Sequence, residues 1–252
     1  ILKFTEGPDS ISPWGYVTVL GRVARPGRVN MPVGGDMSVS MAVQAAGGPP
    51  DVIFECVGAP GLLQQCLGMV RPRAGDFCYS PAKQAQMLHQ VERAARWGAD
   101  GVVLGALEEN QGKLRIAMKP MERLVGQAAA HGLQVTFHRA FDALADPDAA
   151  LERLVELGVG RVLTAGIPWG GKGSALDGLP RLRRTLVGAQ DRLEVIVAGG
   201  VNPVMAPRLL AGLAGVPGRF SLHAYSGAQE HGKTTAAGVQ QLLHALRSFD
   251  SR

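Results

Sequence analysis

A histidine, an arginine and an aspartate lie close together in the segment VTFHRAFD, at positions 138, 139 and 142. The segment is typical of a buried strand that runs into a loop, and such a strand has no structural use for His138 and Arg139 unless they face its open end. We therefore expect His138 and Asp142 to act as an acid/base pair and Arg139 to bind an anion. The structural alternative is an ion pair in which Asp142 neutralises Arg139 and braces the loop.

Two more arginines open the string RPRAGDFCYS. Arg71 and Arg73 flank Pro72, and Asp76 follows them. Two guanidinium groups at the end of one strand could clamp a phosphate or a carboxylate, whereas an arginine paired with Asp76 would only brace the loop. Both arginines are anion-binding candidates, and we favour one arginine in each of these roles.

Glycine and small polar residues follow the last two predicted strands. Gly199 and Gly200 come after one strand, and His223 and Ser226 come at and after the end of the next. Many barrels hold phosphate at this place on backbone amides that small residues leave accessible, although glycine is also needed simply to turn the chain. These four residues are further anion-binding candidates.

From Met69 onward, short apolar runs alternate with amphipathic stretches, which indicates repeated strand–helix units and a parallel sheet. The six predicted strands are 67–71, 101–106, 134–138, 161–164, 193–198 and 219–223. The six predicted helices are 81–97, 118–130, 148–157, 176–187, 203–213 and 236–249. The fold class is therefore α/β, a TIM-type (β/α) barrel whose strand ends form the functional mouth.

Six units leave a gap, because a closed barrel of this type has eight strands. The segment before residue 67 must therefore supply two strands or cover the gap. It offers candidate strands at 16–23, 28–33 and 52–56 and a candidate helix at 39–46. The breaker cluster at 47–50 is the best internal boundary. We predict an atypical β-rich segment over 1–50 and a barrel over 51–252.

Several strings from Arg71 onward resemble the CutC copper-homeostasis family in order and spacing. They are RPRAGDFCYS, GADGVVLGAL, VTFHRAFD, RVLTAG, GSALDGLPRL and IVAGGV. The resemblance implies a cytoplasmic, homo-oligomeric protein that binds copper as Cu(I) on cysteines of its first two strands. Cys56 stands at the second of these positions, no cysteine stands at the first, and Cys78 is the next candidate ligand.

The first 69 residues are similar to other proteins. Residues 16–48 resemble the small β-rich domain of polysaccharide-export proteins, and residues 52–66 resemble a strand and helix of zinc-type alcohol dehydrogenases. A weaker CutC alignment over 38–56 stands against both, so a native and a reassembled N-terminal segment are both open. No GxGxxG motif precedes residue 52, and no nucleotide cofactor is expected.

Composition limits the partners. The net charge of +5 is scattered among acidic residues and only 5% of residues are aromatic, so no nucleic-acid partner is expected. No membrane partner is expected either, because no stretch reaches about 20 apolar residues. The three cysteines form no CxxC pair, which fits a reducing cytoplasm. Three functions stay open: a copper-binding protein, a barrel enzyme acting on a small anion, and a non-functional chimera.

Overall fold

The computed structural model describes residues 18–22, 52–55, 77–96, 101–230 and 233–250. The predicted elements at 28–33, 39–46 and 67–71, and the predicted boundary near residue 50, lie outside these ranges. The described strands are β1 (Thr18–Arg22), β2 (Val52–Glu55), β3 (Gly101–Leu104), β4 (Leu107–Asn110), β5 (Lys113–Ile116), β6 (Gln134–Phe137), β7 (Arg161–Thr164), β8 (Glu194–Val197), β9 (Arg219–Ala224), β10 (Gln229–Glu230) and β11 (Lys233–Thr234). The described helices are α1 (Pro81–Arg96), α2 (Met118–Ala130), α3 (Pro147–Glu156), α4 (Leu179–Ala189), α5 (Met205–Leu213) and α6 (Ala236–Asp250), with short 3-10 turns at Arg139–Ala143 and Ser226–Ala228.

A seven-stranded sheet in the order β2-β1-β9-β8-β7-β6-β3 lies at the centre. The neighbours from β9 to β3 are all parallel. The strands predicted from residue 101 onward are confirmed to within two residues at each end, and the helices to within three. Parallel strands with a helix after each are the architecture of the TIM-type α/β fold, as predicted.

The two N-terminal strands are attached differently. β1 pairs antiparallel with β9 on one side and with β2 on the other. The strands predicted at 16–23 and 52–56 are thereby confirmed over 18–22 and 52–55. They cover the edge of β9, whose backbone groups would otherwise be unpaired, instead of continuing the parallel order.

β4 and β5 form an antiparallel hairpin that the sequence pattern did not predict. Gln111 and Gly112 connect the two strands with φ angles of 52° and 73°. A two-residue hairpin turn of type I′ needs this left-handed conformation at both positions, and glycine adopts it without strain. The hairpin follows β3 directly and leads into α2.

Local signals set the ends of α3, which follows the loop after β6. The Asp146 side chain accepts a hydrogen bond from the Ala149 amide at 3.1 Å, and Pro147 occupies the first helical position. Both are favourable at a helix N-terminus, where amide groups lack partners within the helix. Gly158, with a φ of 76°, ends the helix in the left-handed conformation.

The two faces of the parallel strands have different chemistry. Alternate residues of β6, β8 and β9 pack in one apolar cluster with the helices: Val135, Phe137, Val195, Val197, Leu222 and Ala224. Because successive side chains of a strand point to opposite faces, Thr136 and His138 lie on the other side of β6, and Ser221 and His223 on the other side of β9. This second face is the interior of the barrel.

Candidate functional site

The site lies where the loops after β6, β7 and β8 meet, at the C-terminal ends of the strands. The Trp169 amide donates a hydrogen bond to the Asp142 carbonyl at 3.0 Å, which joins the loops after β6 and β7. The Ala175 amide donates to the Gly199 carbonyl at 2.9 Å, which joins the loops after β7 and β8. Backbone hydrogen bonds therefore hold these loops in a fixed arrangement around the mouth.

The Asp142 carboxylate is fully buried and joins two of these loops. Its Oδ2 accepts hydrogen bonds from Arg139 Nε at 2.6 Å and from the Ala165 amide at 3.1 Å, and its Oδ1 accepts from Thr164 Oγ1 at 2.5 Å. In the described part of the chain, Asp142 makes no hydrogen bond to His138. The contacts match the ion pair considered above as the structural alternative, and they leave the acid/base role of Asp142 a prediction.

His138 is a buried, neutral imidazole. Its Nδ1 accepts a hydrogen bond from the Ala140 amide at 3.2 Å, so the proton of the neutral ring is on Nε2. Burial lowers the pKa of His138 to about 4, because the charged form loses its hydration. A Cβ atom on Gly105 would lie 2.9 Å from Nδ1, so the glycine leaves the room that the ring occupies.

The Arg139 guanidinium is held from two sides. Its Nε donates to Asp142, and its Cζ lies 5.4 Å from the ring centroid of Trp169, within the range of a cation–π contact. The Trp169 ring in turn packs edge-on against Phe77, with 4.9 Å between centroids. Among the described residues, no hydrogen bond occupies the two terminal nitrogens of Arg139, and neither nitrogen is fully buried. These two nitrogens are available to a ligand.

The interior face of β9 adds two polar atoms to the mouth. Ser221 Oγ and His223 Nδ1 are both buried, and neither has a hydrogen-bond partner among the described residues. Burial and then the nearby positive charge of Arg139 lower the pKa of His223 to about 4. The Arg139 guanidinium therefore lies within electrostatic range of the His223 ring. Ser221 was missed as a site residue, although its position two residues before His223 on one strand was a usable signal.

Three of the remaining predicted anion-binding residues, Gly199, Gly200 and Ser226, lie around the same mouth. Gly199 and Gly200 follow β8 with φ angles of 104° and 79°, and Ser226 is exposed in the turn after β9. A Cβ atom on Gly227 would lie 2.1 Å from the Val201 carbonyl oxygen, so the loops after β8 and β9 touch. Arg71 and Arg73 lie outside the described residues. The anion-binding role of all these residues stays a prediction.

A family comparison covers most of the chain and all of the described mouth from β3 to β9. The sequence model of the CutC family matches residues 47–224. The chain belongs to the CutC family. The CutC strings quoted above from Arg71 to Val201 all lie inside this match, and so do His138, Arg139, Asp142 and His223.

Individual CutC relatives agree with this assignment. The chain is 40% identical over 145 residues to a CutC-family protein of Pasteurella multocida, an alignment that covers 58% of this chain and 56% of the relative. It is 38% identical over 192 residues to the human protein named copper homeostasis protein cutC homolog, covering 69% and 67%. The chain thus spans about half to two thirds of the length of these CutC proteins.

A solved CutC structure has the same fold. The crystal structure of CutC from Streptococcus agalactiae is similar with a TM-score of 0.51 and 27% sequence identity, and it covers 60% of this chain and 70% of that one.

Within the described ranges, no helix is long and apolar enough to cross a membrane.

Only one of the two cysteines considered as copper ligands lies among the described residues. Cys56 lies outside the described residues, and Cys78 is half-buried beside Phe77, where it forms a parallel bridge with Leu107. Cu(I) prefers soft thiolate and thioether ligands. In the described ranges no three His, Cys, Asp or Glu side chains are grouped to hold a metal ion.

Proposed function

We propose that this protein acts in copper homeostasis and that Cu(I) is its cargo. The observation that carries the proposal is the CutC match over residues 47–224, supported by the human relative whose name states copper homeostasis. One candidate thiol, Cys78, follows Phe77 directly, and the Phe77 ring lies 5.2 Å from the ring of His138. On this basis we propose Cys78 as a ligand at the rim of the mouth and Cys56 as the second thiolate ligand.

The test is a titration of the reduced chain with Cu(I) against a competing chelator, without oxygen. We expect one tight site that Cys56→Ser abolishes and Cys78→Ser weakens. Cys66→Ser is the matched control, because it removes a thiol that the proposal does not use. Binding no tighter than that of a variant without any cysteine would overturn the copper proposal.

Location and assembly belong to the same proposal. The three cysteines make no even-numbered framework, which supports a reducing compartment, and we place the protein in the cytoplasm as a homo-oligomer. Light scattering coupled to size-exclusion chromatography measures the assembly directly. A monomer at micromolar concentration would contradict the homo-oligomer.

We also propose that the mouth binds a small anion, a phosphate or a carboxylate. The observation that favours this second function is the state of Arg139, whose Nε is bound to Asp142 while its terminal nitrogens have no partner among the described residues. A guanidinium fixed in this way presents two N–H donors in the fork geometry that matches an oxyanion. Asp142 then positions Arg139, and His138 offers a neutral Nε2–H donor.

Isothermal titration with phosphate and with succinate tests the anion site. Arg139→Gln should weaken binding by at least about tenfold, the usual scale for a charge-assisted hydrogen-bond pair. Arg115→Gln is the matched control, because Arg115 is an exposed arginine that pairs with Glu108 on the β4–β5 hairpin. No heat of binding with either anion, or equal effects of the two variants, would overturn the anion site.

A further inference from the structure

The interior face of β9 carries polar groups that binding of an anion to Arg139 leaves unused. We propose that Ser221 and His223 form a subsite for a ligand hydroxyl group, so that the ligand of the mouth is a hydroxylated small anion, either a hydroxycarboxylate or the phosphate ester of a polyol. This inference rests on the anion function proposed for Arg139 and names its ligand class.

The first observation is the burial of unpaired polar atoms. Ser221 is 0% exposed, and within the described ranges its Oγ has no hydrogen-bond partner. The same holds for Nδ1 of His223, two residues along the strand. Buried polar groups in folded proteins are almost always hydrogen-bonded, and leaving one unpaired is destabilising. Two such atoms on one face of one strand indicate that their partner is a bound molecule.

The second observation is the place of these atoms relative to Arg139. Ser221 and His223 share the barrel-facing side of β9, because their neighbours Leu222 and Ala224 pack in the helix-facing apolar cluster. His223 and Arg139 stand at the C-terminal ends of β9 and β6, which meet at one mouth, and the positive charge of Arg139 contributes to the lowered pKa of His223. A ligand anchored by its anionic end on Arg139 can therefore reach β9 with its other end.

The third observation concerns chemistry. A serine hydroxyl both donates and accepts hydrogen bonds, and the unpaired Nδ1 of a neutral imidazole does one or the other. Neither group is charged, so the pair has nothing to neutralise a second ligand charge. A ligand hydroxyl, which also donates and accepts, fits both atoms. A site that hydrogen-bonds a hydroxyl discriminates strongly against the analogue that lacks it, because its own polar groups are then left unpaired.

The test compares ligands that differ in a single hydroxyl or a diol. The probes are L-malate against succinate, and sn-glycerol 3-phosphate against propyl phosphate, each titrated into the full chain. In at least one pair we expect the hydroxylated member to bind about tenfold tighter, as one good hydrogen bond allows. Ser221→Ala should bring this ratio to about one while the affinity for the other member stays within about twofold.

Two further readouts separate recognition from structure. Ser221→Ala should leave the melting temperature of the ligand-free protein unchanged or raise it, because the hydroxyl has no partner among the described residues. Ser80→Ala is the matched control: Ser80 is an exposed serine before α1, and its loss should not change the ratio. A clear drop in melting temperature for Ser221→Ala would indicate a structural hydroxyl and overturn the inference.

The outcomes distinguish the inference from the function on which it rests. Equal affinities within both pairs, or a ratio that Ser221→Ala does not change, would overturn the hydroxyl subsite. If Arg139→Gln still weakens all four probes, the anion function survives that result. Failure of the unaltered protein to bind any of the four probes would overturn the anion function and the subsite together.

Discussion

Acidification should destabilise this protein through His138. Burial holds the pKa of His138 at about 4 in the folded chain, below the ordinary value of 6.5 that we take for the unfolded chain. Between these two values the unfolded chain binds more protons than the folded chain. The free energy of unfolding therefore falls as the pH falls from about 6.5 to about 4, and the contribution of His138 is fully present above that window.

The size of the effect follows from the two pKa values. A difference of about 2.5 pKa units, at about 1.36 kcal/mol per unit, corresponds to a total loss of about 3 kcal/mol. About 2 kcal/mol of this loss occurs between pH 7 and pH 4.5. The pKa of His223 is also lowered to about 4, so His223 acts in the same direction and remains as an internal reference when His138 is replaced.

His138→Asn is the perturbation that isolates this effect. The asparagine side chain can accept the Ala140 amide as Nδ1 does, but it does not titrate. Urea unfolding followed by circular dichroism, at steps from pH 7 to pH 4.5, measures the free energy of unfolding of both proteins. The variant should be less stable at pH 7, because it loses the ring contacts to Phe77 and Phe137, and its stability should fall less steeply with acid. Two curves that stay parallel within about 0.5 kcal/mol would refute the reasoning.

Three other predictions test the surroundings of the mouth. Gly105→Ala should lower the free energy of unfolding in urea by about 1–3 kcal/mol, because the new Cβ would press on the His138 ring. Gly126→Ala, on the open face of α2, should raise it by about 0.5–1 kcal/mol. Equal effects of the two variants would contradict this prediction. Asp142→Ala should lower the free energy of unfolding by about 3–5 kcal/mol. Asp142→Asn should lower it less, because the amide keeps one acceptor oxygen for Arg139. The reverse order would contradict the described hydrogen bonds. Trp169→Leu should weaken succinate binding about two- to fivefold in a titration, because the guanidinium loses its cation–π contact. Trp169→Phe should weaken binding less, because an aromatic face stays under the guanidinium. Equal losses of affinity would exclude the cation–π contact.

Much of the fold from residue 101 onward could be predicted because its strands and helices differ in period. The bounds of β7 and α2 match the predicted bounds, since each is an apolar pattern enclosed by breakers or polar residues. The β4–β5 hairpin was missed because its strands are only four residues each, so that the alternation in β5 is too short to stand out and β4 shows none. The antiparallel direction of β1 could not be predicted either, because the residue pattern indicates a strand but does not indicate which strand it pairs with.

The position of the candidate site could be predicted from the sequence, but its side-chain contacts could not. Strand ends indicated that His138, Arg139 and His223 would lie at one mouth, since parallel strands bring their C-terminal ends together. Which donor reaches which oxygen depends on side-chain geometry, and Asp142 bonds to Arg139, Thr164 and Ala165 across two loops. Ser221 carries no motif; its place two residues before His223 was a weak sequence signal, and its burial without a partner among the described residues singled it out in the structure.

The divided use of the Arg139 guanidinium restricts what can replace it during divergence. Its Nε bonds to Asp142, while its outer nitrogens have no hydrogen-bond partner in the part of the chain that the structure describes. A lysine has a single side-chain nitrogen, so it would bond either to the aspartate that braces the loop or to the ligand. In related chains we therefore expect lysine at this position only where the aspartate has also changed or where the mouth no longer binds an anion.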